Sequence, residues 1–367
     1  MDGFFDRLRE QNGRWLSQAR LYNKEQPLEN LQNMTANTRI TKTEALDLAR
    51  AVLLSAGANE ETALSVAKAC VDGQREGGSA HGLGHLDVYS QALRAGRARC
   101  SPEVSLEWVT PVLVRADAGS GIPHPVFDRV FDDLVSATRK FGLSMFGMRG
   151  GFTCGALGYF ARRLAKRNLV AMAFTNCGPA VVAGSGGSRP VFCTNPLAFA
   201  VPQLDGPPLL IDQATSQSAL MNIRAARDAG EKIPAGWALD KEGNPTTDPV
   251  AALNGMLLSF GGEKGANIGL LVELMAAGLN GAQWSLDAPS FAEGGEPLGI
   301  GLTIIAIDPA LTFGANFLAR SRDYFDRLAE YDVYLPGLRS IQCREESESS
   351  GILIETDLLE KLRQQIH

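Results

Sequence analysis

At 367 residues, 45% hydrophobic and 21% charged, the chain has the composition of a soluble globular protein and enough length for one large core or two intertwined ones. A formal net charge of −6 and an isoelectric point near 5.4 argue against nucleic acid or an anionic membrane as partner. The six cysteines show no Cys-x-x-Cys spacing and the four histidines (His81, His85, His124, His367) no metal motif. No metal is therefore expected, and the thiols read as reduced ones in a cytoplasmic protein.

The opening stretch, MDGFFDRLREQNGRWLSQAR, mixes charges without a long apolar run, so no secretory signal is expected. Phe4, Phe5, Leu8, Trp15 and Leu16 would give a short helix one apolar face, and 1–38 is read as an extension that packs on the body or on a partner subunit. Even IGLLVELMAAGL contains Glu273 and is too short to cross a membrane.

Thr41-Lys42-Thr43-Glu44 fits a capping box, followed by Leu46, Ala49, Val52 and Leu53 on one helical face. Gly57 ends that helix and Asn59 can cap the next, in which Leu64, Ala67 and Val71 recur at helical spacing. Gly77-Gly78-Ser79-Ala80-His81-Gly82 then reads as a polar turn before a third helix through Leu86, Tyr89 and Leu93. Such a turn presents one imidazole to a cleft.

From Val112 the pattern alternates strand-like and helical segments: a strand in PVLVRADAG, a helix over 125–141, then strand, glycine turn, helix and strand over 143–176. Residues 153–157 fall at the start of that helix, where free N–H groups and the helix dipole favour a phosphate or other anion. The stretch 174–216 holds short apolar runs at 191–193, 197–201 and 209–211, separated by Thr194-Asn195-Pro196 and preceded by Gly184-Ser185-Gly186-Gly187-Ser188. This glycine loop fails as a dinucleotide fingerprint, because Arg189 takes the third glycine position and Pro190 blocks the helix start. A helix is expected over 218–229, a polar excursion over 234–249, an apolar helix over 268–279, a strand in GIGLTIIAIDP and an amphipathic helix over 317–331. LPGLRS reads as a turn, REESESS as a solvated acidic loop, and Thr356 begins the last helix.

Four co-linear segments, TNCGPAVVAGSGGSRPVFCTNPLAFAVP, IDQATS, PAGWALDKEGNPTTDPVAAL and FGGEKGANIGLLVELMAAGL, resemble the malate/L-lactate dehydrogenase type 2 family over roughly 39–367. The resemblance implies an α/β, non-Rossmann NAD(P)-binding fold with a mixed central sheet. It also implies an NAD(P)-dependent oxidoreductase acting on a small molecule, and a homodimer. The expected division is an extension at 1–38, a helical substrate and dimerisation domain at 39–115 plus 310–367, and an NAD(P)-binding domain at 116–309.

By the same resemblance His81 is the proton donor, a role that suits an imidazole with an unperturbed pKa of about 6.5. Three neighbours depart from the family pattern. Ala80 stands where a relay Ser is usual, with Ser79 one position early. His85 replaces an Arg that grips the substrate carboxylate, and imidazole cannot form the guanidinium fork. Asn222 stands where the ketimine reductases have a relay Asp and the malate enzymes a Lys; its amide can still orient His81. Thr194 matches a substrate-binding Thr. The cofactor, NADPH with NADH as the alternative, is assigned to Thr153, Cys154, Gly155, Ala156 and Leu157, to Asp212, Gln213 and Ala214, to Gly262, Glu263 and Lys264, and to Arg339. Taken alone, an Asp at a strand end is more often a cap and a Lys more often solvated.

FTCGALGYF and WSLDAPSF look most like the ketimine reductases, so the favoured substrate is a cyclic ketimine of the Δ1-pyrroline- or Δ1-piperideine-2-carboxylate kind. The alternatives are a malate- or lactate-like 2-hydroxy acid dehydrogenase, or a nucleotide-binding homologue with weakened catalysis.

Overall fold

A computed structural model describes residues 36–78, 81–291, 294–312 and 316–366, so the arm expected at the start lies, up to residue 35, outside the described residues. After β1 (Asn37–Ile40), Thr41 opens α1 (Lys42–Ser55) with the predicted capping box. Its hydroxyl accepts from the Glu44 amide at 3.1 Å, and the Glu44 carboxylate accepts from the Thr41 amide at 2.7 Å. Asn59 caps α2 (Glu60–Arg75) by accepting from the Thr62 amide at 2.8 Å. With α3 (His85–Arg94) these helices bury Leu53, Val66, Leu86 and Tyr89 in one core.

The main sheet follows. Its members in chain order are β2 (Ser105–Thr110), β3 (Leu113–Asp117), β4 (Leu143–Gly151) and β5 (Val170–Thr175). The helix α4 (Pro123–Phe141) lies between β3 and β4; it starts two residues before the expected position because Pro123 takes its first turn, and it stops at Gly142 with φ 90°. The helix α5 (Gly158–Ala165) lies between β4 and β5. Next come β6 (Val182–Ala183), β7 (Pro190–Phe192), β8 (Leu197–Val201) and β9 (Leu209–Gln213).

Beyond them lie α6 (Leu220–Ala229), β10 (Ala238–Leu239), β11 (Pro245–Thr246), α7 (Pro249–Asn254), β12 (Met256–Leu257), α8 (Glu263–Glu273) and β13 (Ile300–Ile307). The chain closes with α9 (Phe317–Glu330), α10 (Leu338–Ser350), β14 (Ile352–Glu355) and α11 (Thr356–Gln364). The seven-stranded sheet runs β2-β3-β4-β13-β5-β8-β9, with β3 and β4 parallel and the other neighbours antiparallel. The expected mixed sheet is therefore present. Its β13 is apolar almost throughout, as a strand covered on both faces must be.

Four features depart from the sequence reading. β2 and β3 pair into the central sheet, so the boundary expected at 115 cuts through β3. The polar excursion contributes β10 and β11 to a second sheet, β11-β10-β12-β6-β7, with a small core of its own around Val182, Ile223 and Leu257. The apolar helix begins at Glu263 and widens into a π-helical turn at Leu274–Gly278. There Asn280 donates to the Ala276 carbonyl at 2.8 Å and Thr303 to the Met275 carbonyl at 2.7 Å, serving carbonyls that the irregular turn leaves over.

The fourth departure is α10, which takes the second half of LPGLRS and the whole of REESESS. Several of its charged residues make tertiary ion pairs. Arg344 pairs with Glu76 and lies 3.6 Å from Asp72, while Glu348 meets Arg75 at 2.5 Å. Arg162 of α5 reaches the same two carboxylates. This nearly buried charge cluster ties α2, α5 and α10 together.

A second buried polar group sits on α8. The Glu273 carboxylate, 5% exposed, accepts from the Asn195 amide at 2.7 Å, the Ser285 amide at 2.7 Å and the Ser285 hydroxyl at 2.8 Å. Glu273→Ala leaves three buried donors without their acceptor and is expected to cost about 3–5 kcal/mol in urea unfolding, with Glu273→Gln milder. A loss below about 1 kcal/mol would remove the carboxylate from the account of how these loops are held.

Candidate active site

His81 lies in the turn between α2 and α3. Two glycines let that turn fold back on α2: a Cβ at Gly73 would come within 2.8 Å of the His81 carbonyl, and one at Gly82 within 2.8 Å of the Gln74 backbone. The imidazole is exposed by surface area yet hemmed in by protein, and the resulting desolvation lowers its pKa from the usual 6.5. Ser79 and Ala80, at the relay positions, lie outside the described residues.

The His81 ring centre is 5.6 Å from that of His85, and His85 packs edge-on against Tyr89 at 4.7 Å. Their spacing of four residues stacks His85 and Tyr89 on one face of α3. His85 is only 8% exposed. Above the pair passes Gly155, with φ 61°; a Cβ there would stand 3.1 Å from the Tyr89 hydroxyl and 3.5 Å from the His85 ring. Only glycine fits this left-handed close approach without strain. Within the predicted cofactor segment Thr153, Cys154 and Leu157 are buried, so Gly155 and Ala156 form its accessible part.

The helix α5 starts at Gly158, and its first amide is already engaged. The Asp212 carboxylate accepts from the Gly158 N–H at 2.8 Å. The structural role weighed for a lone Asp at a strand end is thus the one observed, and this amide is not free for a phosphate. Packing around Asp212 pushes its pKa up to about 6, against the opposing pull of the Gly158 amide and the Arg162 guanidinium. The residue is nonetheless exposed by surface area, so the crowding comes from protein around it and not from a sealed core.

β9 continues into a segment that knits the other predicted residues together. Thr215 donates to the Thr194 carbonyl through its amide (2.9 Å) and its hydroxyl (3.0 Å), and the Phe260 amide donates to the Thr215 carbonyl at 3.0 Å. Thr215, directly after Gln213 and Ala214, thus links Thr194 to the segment that leads into the Gly262-Glu263-Lys264 turn, which is exposed at the start of α8. Gly337 abuts Leu210 of β9, with a Cβ there 3.3 Å from the Leu210 carbonyl. This places the exposed Arg339 near the strand that carries Asp212.

Asn222 is exposed, and its amide donates to the Ser218 hydroxyl at 3.1 Å; no hydrogen bond joins it to His81. The Thr194 hydroxyl faces the Cys177 sulfur at 3.3 Å. Sequence reasoning missed Tyr89 as the support beneath Gly155, although its helical spacing from His85 was readable. It also missed Glu273 as an anchor. A carboxylate in an otherwise apolar helix was the available signal.

The malate/L-lactate dehydrogenase family model matches residues 40–363. The chain belongs to this family. Family members are oxidoreductases, and the relatives name different substrates. A (2R)-3-sulfolactate dehydrogenase (NADP(+)) of Chromohalobacter salexigens is 38% identical over 85% of this chain and 93% of its own. A Δ1-pyrroline-2-carboxylate/Δ1-piperideine-2-carboxylate reductase of Pseudomonas aeruginosa is 36% identical over 86% and 96%. Among solved structures, the Δ1-piperideine-2-carboxylate reductase of Pseudomonas syringae superposes with a TM-score of 0.85 at 32% identity, covering 89% of this chain and 99% of that one. No helix among the described residues is long and apolar enough to cross a membrane.

The raised pKa of Asp212 gives a signed expectation. The folded carboxylate binds its proton more tightly than the unfolded one (3.8), so wild-type stability falls as pH rises from about 4 to about 6 and then levels off. Asp212→Asn keeps an acceptor for Gly158 without the charge. It should flatten that slope and raise the melting temperature above pH 6 in a scanning-fluorimetry series. A lower melting temperature at pH 7 would contradict the assignment.

Proposed function

We propose that the chain is an NADPH-dependent reductase of a cyclic ketimine carboxylate, with His81 as proton donor, working as a cytoplasmic homodimer. The observation that carries this reading is the packing of His85 against Gly155 with His81 beside His85, on a surface that Asp212 ties to the segment bearing Thr194. The glycine at 155 supports this reading by letting the segment pack directly on Tyr89 and His85, where any Cβ would collide, so that its partly exposed backbone lies beside the histidines. Gly155 and Ala156, Asp212 to Ala214, the Gly262-to-Lys264 turn and Arg339 are the residues proposed to hold it, with Lys264 and Arg339 as the cations for phosphate. NADH is the alternative cofactor. The bound nucleotide supplies the hydride.

The protein's own part is protonation and positioning. A ring N–H of His81 delivers a proton to the substrate nitrogen as its carbon is reduced. His85, buried against Tyr89, backs the His81 ring and offers at most one N–H toward a carboxylate, in place of a two-pronged guanidinium grip. Thr194 supplies a hydroxyl from the opposite wall. Asn222, bonded to Ser218, would have to change partner to orient His81.

The 38% identity to a sulfolactate dehydrogenase favours a second reading, reduction of a 2-oxo acid. There the same His81 N–H would protonate an oxyanion.

His81→Ala should lower ketimine turnover roughly 10²–10⁴-fold while NADPH affinity, read by nicotinamide fluorescence, stays within about twofold. Reduction by the wild type should decline on the alkaline side with an apparent pKa below 6.5, because desolvation weakens the protonated donor. Undiminished turnover in His81→Ala would remove this residue from the mechanism.

The exposed apolar side chains of Leu270, Leu271 and Leu274 on and just after α8 give a homodimer a surface to cover. Light scattering should return twice the 39.3 kDa chain mass, and a monomer at micromolar concentration would exclude the assembly.

A further inference from the structure

Two thiols stand beside the candidate substrate wall, and nothing in the proposed reduction uses them. Cys193 directly follows β7, and Cys177 precedes β6. Pairing of these strands, with the Val181 amide donating to the Phe192 carbonyl at 2.7 Å, brings the two cysteines to the same end of the small sheet. Their sulfurs lie 3.2 Å apart, and the Cys177 sulfur also faces the Thr194 hydroxyl at 3.3 Å. Both are free thiols. The other four cysteines make no such pair among the described contacts.

Closing this gap to a disulfide needs a movement of only about 1 Å, since an S–S bond is about 2.05 Å long. Cys177 is partly accessible and Cys193 buried, so a reagent would meet Cys177 first. The hydrogen bond from Cys193, then those from Thr194 and the Asn195 amide, hold the Cys177 thiol below the usual value. Sharing that proton keeps Cys193 well above it. An accessible sulfur biased toward thiolate, with a second sulfur in contact, is the arrangement of an attacking and a resolving thiol.

We propose that Cys177 and Cys193 are a peroxide-sensitive dithiol whose closure to a disulfide shuts down the site at Thr194. The Cys177 thiolate attacks the terminal oxygen of a hydroperoxide. The O–O bond breaks, the alcohol or water leaves with a proton, and Cys177 becomes a sulfenic acid. The Cys193 sulfur then attacks the Cys177 sulfur and the S–O bond breaks. The departing hydroxide takes the Cys193 proton as water, so the two thiols have supplied the two electrons that reduce the peroxide. Closure withdraws the Cys177 sulfur from the Thr194 hydroxyl and pulls on the backbone at 193–195, whose Thr194 carbonyl anchors Thr215 and whose Asn195 is clamped by Glu273. The effect on activity rests on the substrate role proposed for Thr194; formation of the disulfide does not.

Trypsin does not cut before proline, so Arg189-Pro190 stays intact and residues 168–224 leave as one peptide carrying both cysteines. After hydrogen peroxide and an alkylating quench of the full-length protein, this peptide should appear two hydrogens lighter and unalkylated. NADPH-dependent turnover should fall in parallel, and dithiothreitol should restore both. Cys177→Ser should resist peroxide, and Cys193→Ser should accumulate a sulfenic acid that dimedone traps on Cys177. A peptide alkylated at both cysteines while another thiol of the chain is oxidised overturns the proposal. So does a disulfide that leaves turnover unchanged. If the protein reduces no imine or 2-oxo acid, the functional reading fails, while the peptide mass still decides whether the dithiol closes.

Discussion

The Glu273 carboxylate is the constraint on which the candidate site depends. It is buried with no cation paired to it among the described residues, and what stabilises it is a set of three donors, two of them from Ser285 and one from Asn195. Hydrogen bonds to a charged acceptor are stronger than neutral ones, but they only offset the desolvation of the charge. The gain is in geometry. Asn195 is held in the left-handed region at φ 35°, where a non-glycine residue needs its surroundings to keep it. Its neighbour Thr194 is thereby aimed and made available to Thr215. On the other side, Ser285 sits against the Asn176 carbonyl, and Asn176 itself bridges Gln283 and Gly301. One carboxylate thus sets the loop that carries Thr194 and borders the loop that carries Cys177.

The opposite wall is organised by close backbone approach and not by charge. Glycines at 73 and 82 bring the His81 turn down onto α2, and the glycine at 155 lets the segment 153–157 rest on Tyr89 and His85. The ion cluster of Asp72, Glu76, Arg162 and Arg344 fixes α5 relative to α2 and α10. Asp212, by capping α5 from β9, couples this wall to the segment leading to Thr194. A polar link of this kind specifies geometry more than it adds stability.

Much of this was legible in the sequence where the signal was local. The caps of α1 and α2, the apolar run of β13 and the histidine turn all follow from short-range patterns that the structure repeats. Contacts between distant segments were not legible. REESESS has the composition of a solvated loop, and only Arg75, some 270 positions away, explains why Glu348 prefers a helix packed on α2. Residues 153–157 read as an open anion site because nothing nearby in sequence announces that Asp212 fills the first amide of α5. β10 and β11 are two residues each, too short to show periodicity. Asn222 and His85 were singled out by comparison with family positions. Their observed surroundings, Ser218 for one and a buried aromatic face for the other, show why type at a position does not give orientation.

The substrate reading turns on what a histidine wall can hold. The proposed site, with His81, the buried His85 and the Thr194 hydroxyl, offers one proton donor and no preformed two-pronged grip for a second charged group. That suits a cyclic imine, held largely by shape, better than an open diacid whose second carboxylate would need its own cation. Steady-state kcat/KM with NADPH, measured side by side on Δ1-piperideine-2-carboxylate, sulfopyruvate and oxaloacetate, tests this most directly. The cyclic imine is expected to be preferred by at least about tenfold, a difference of roughly 1.4 kcal/mol in transition-state stabilisation. A preference of the same size for either 2-oxo acid, or no turnover of the imine at all, would contradict it.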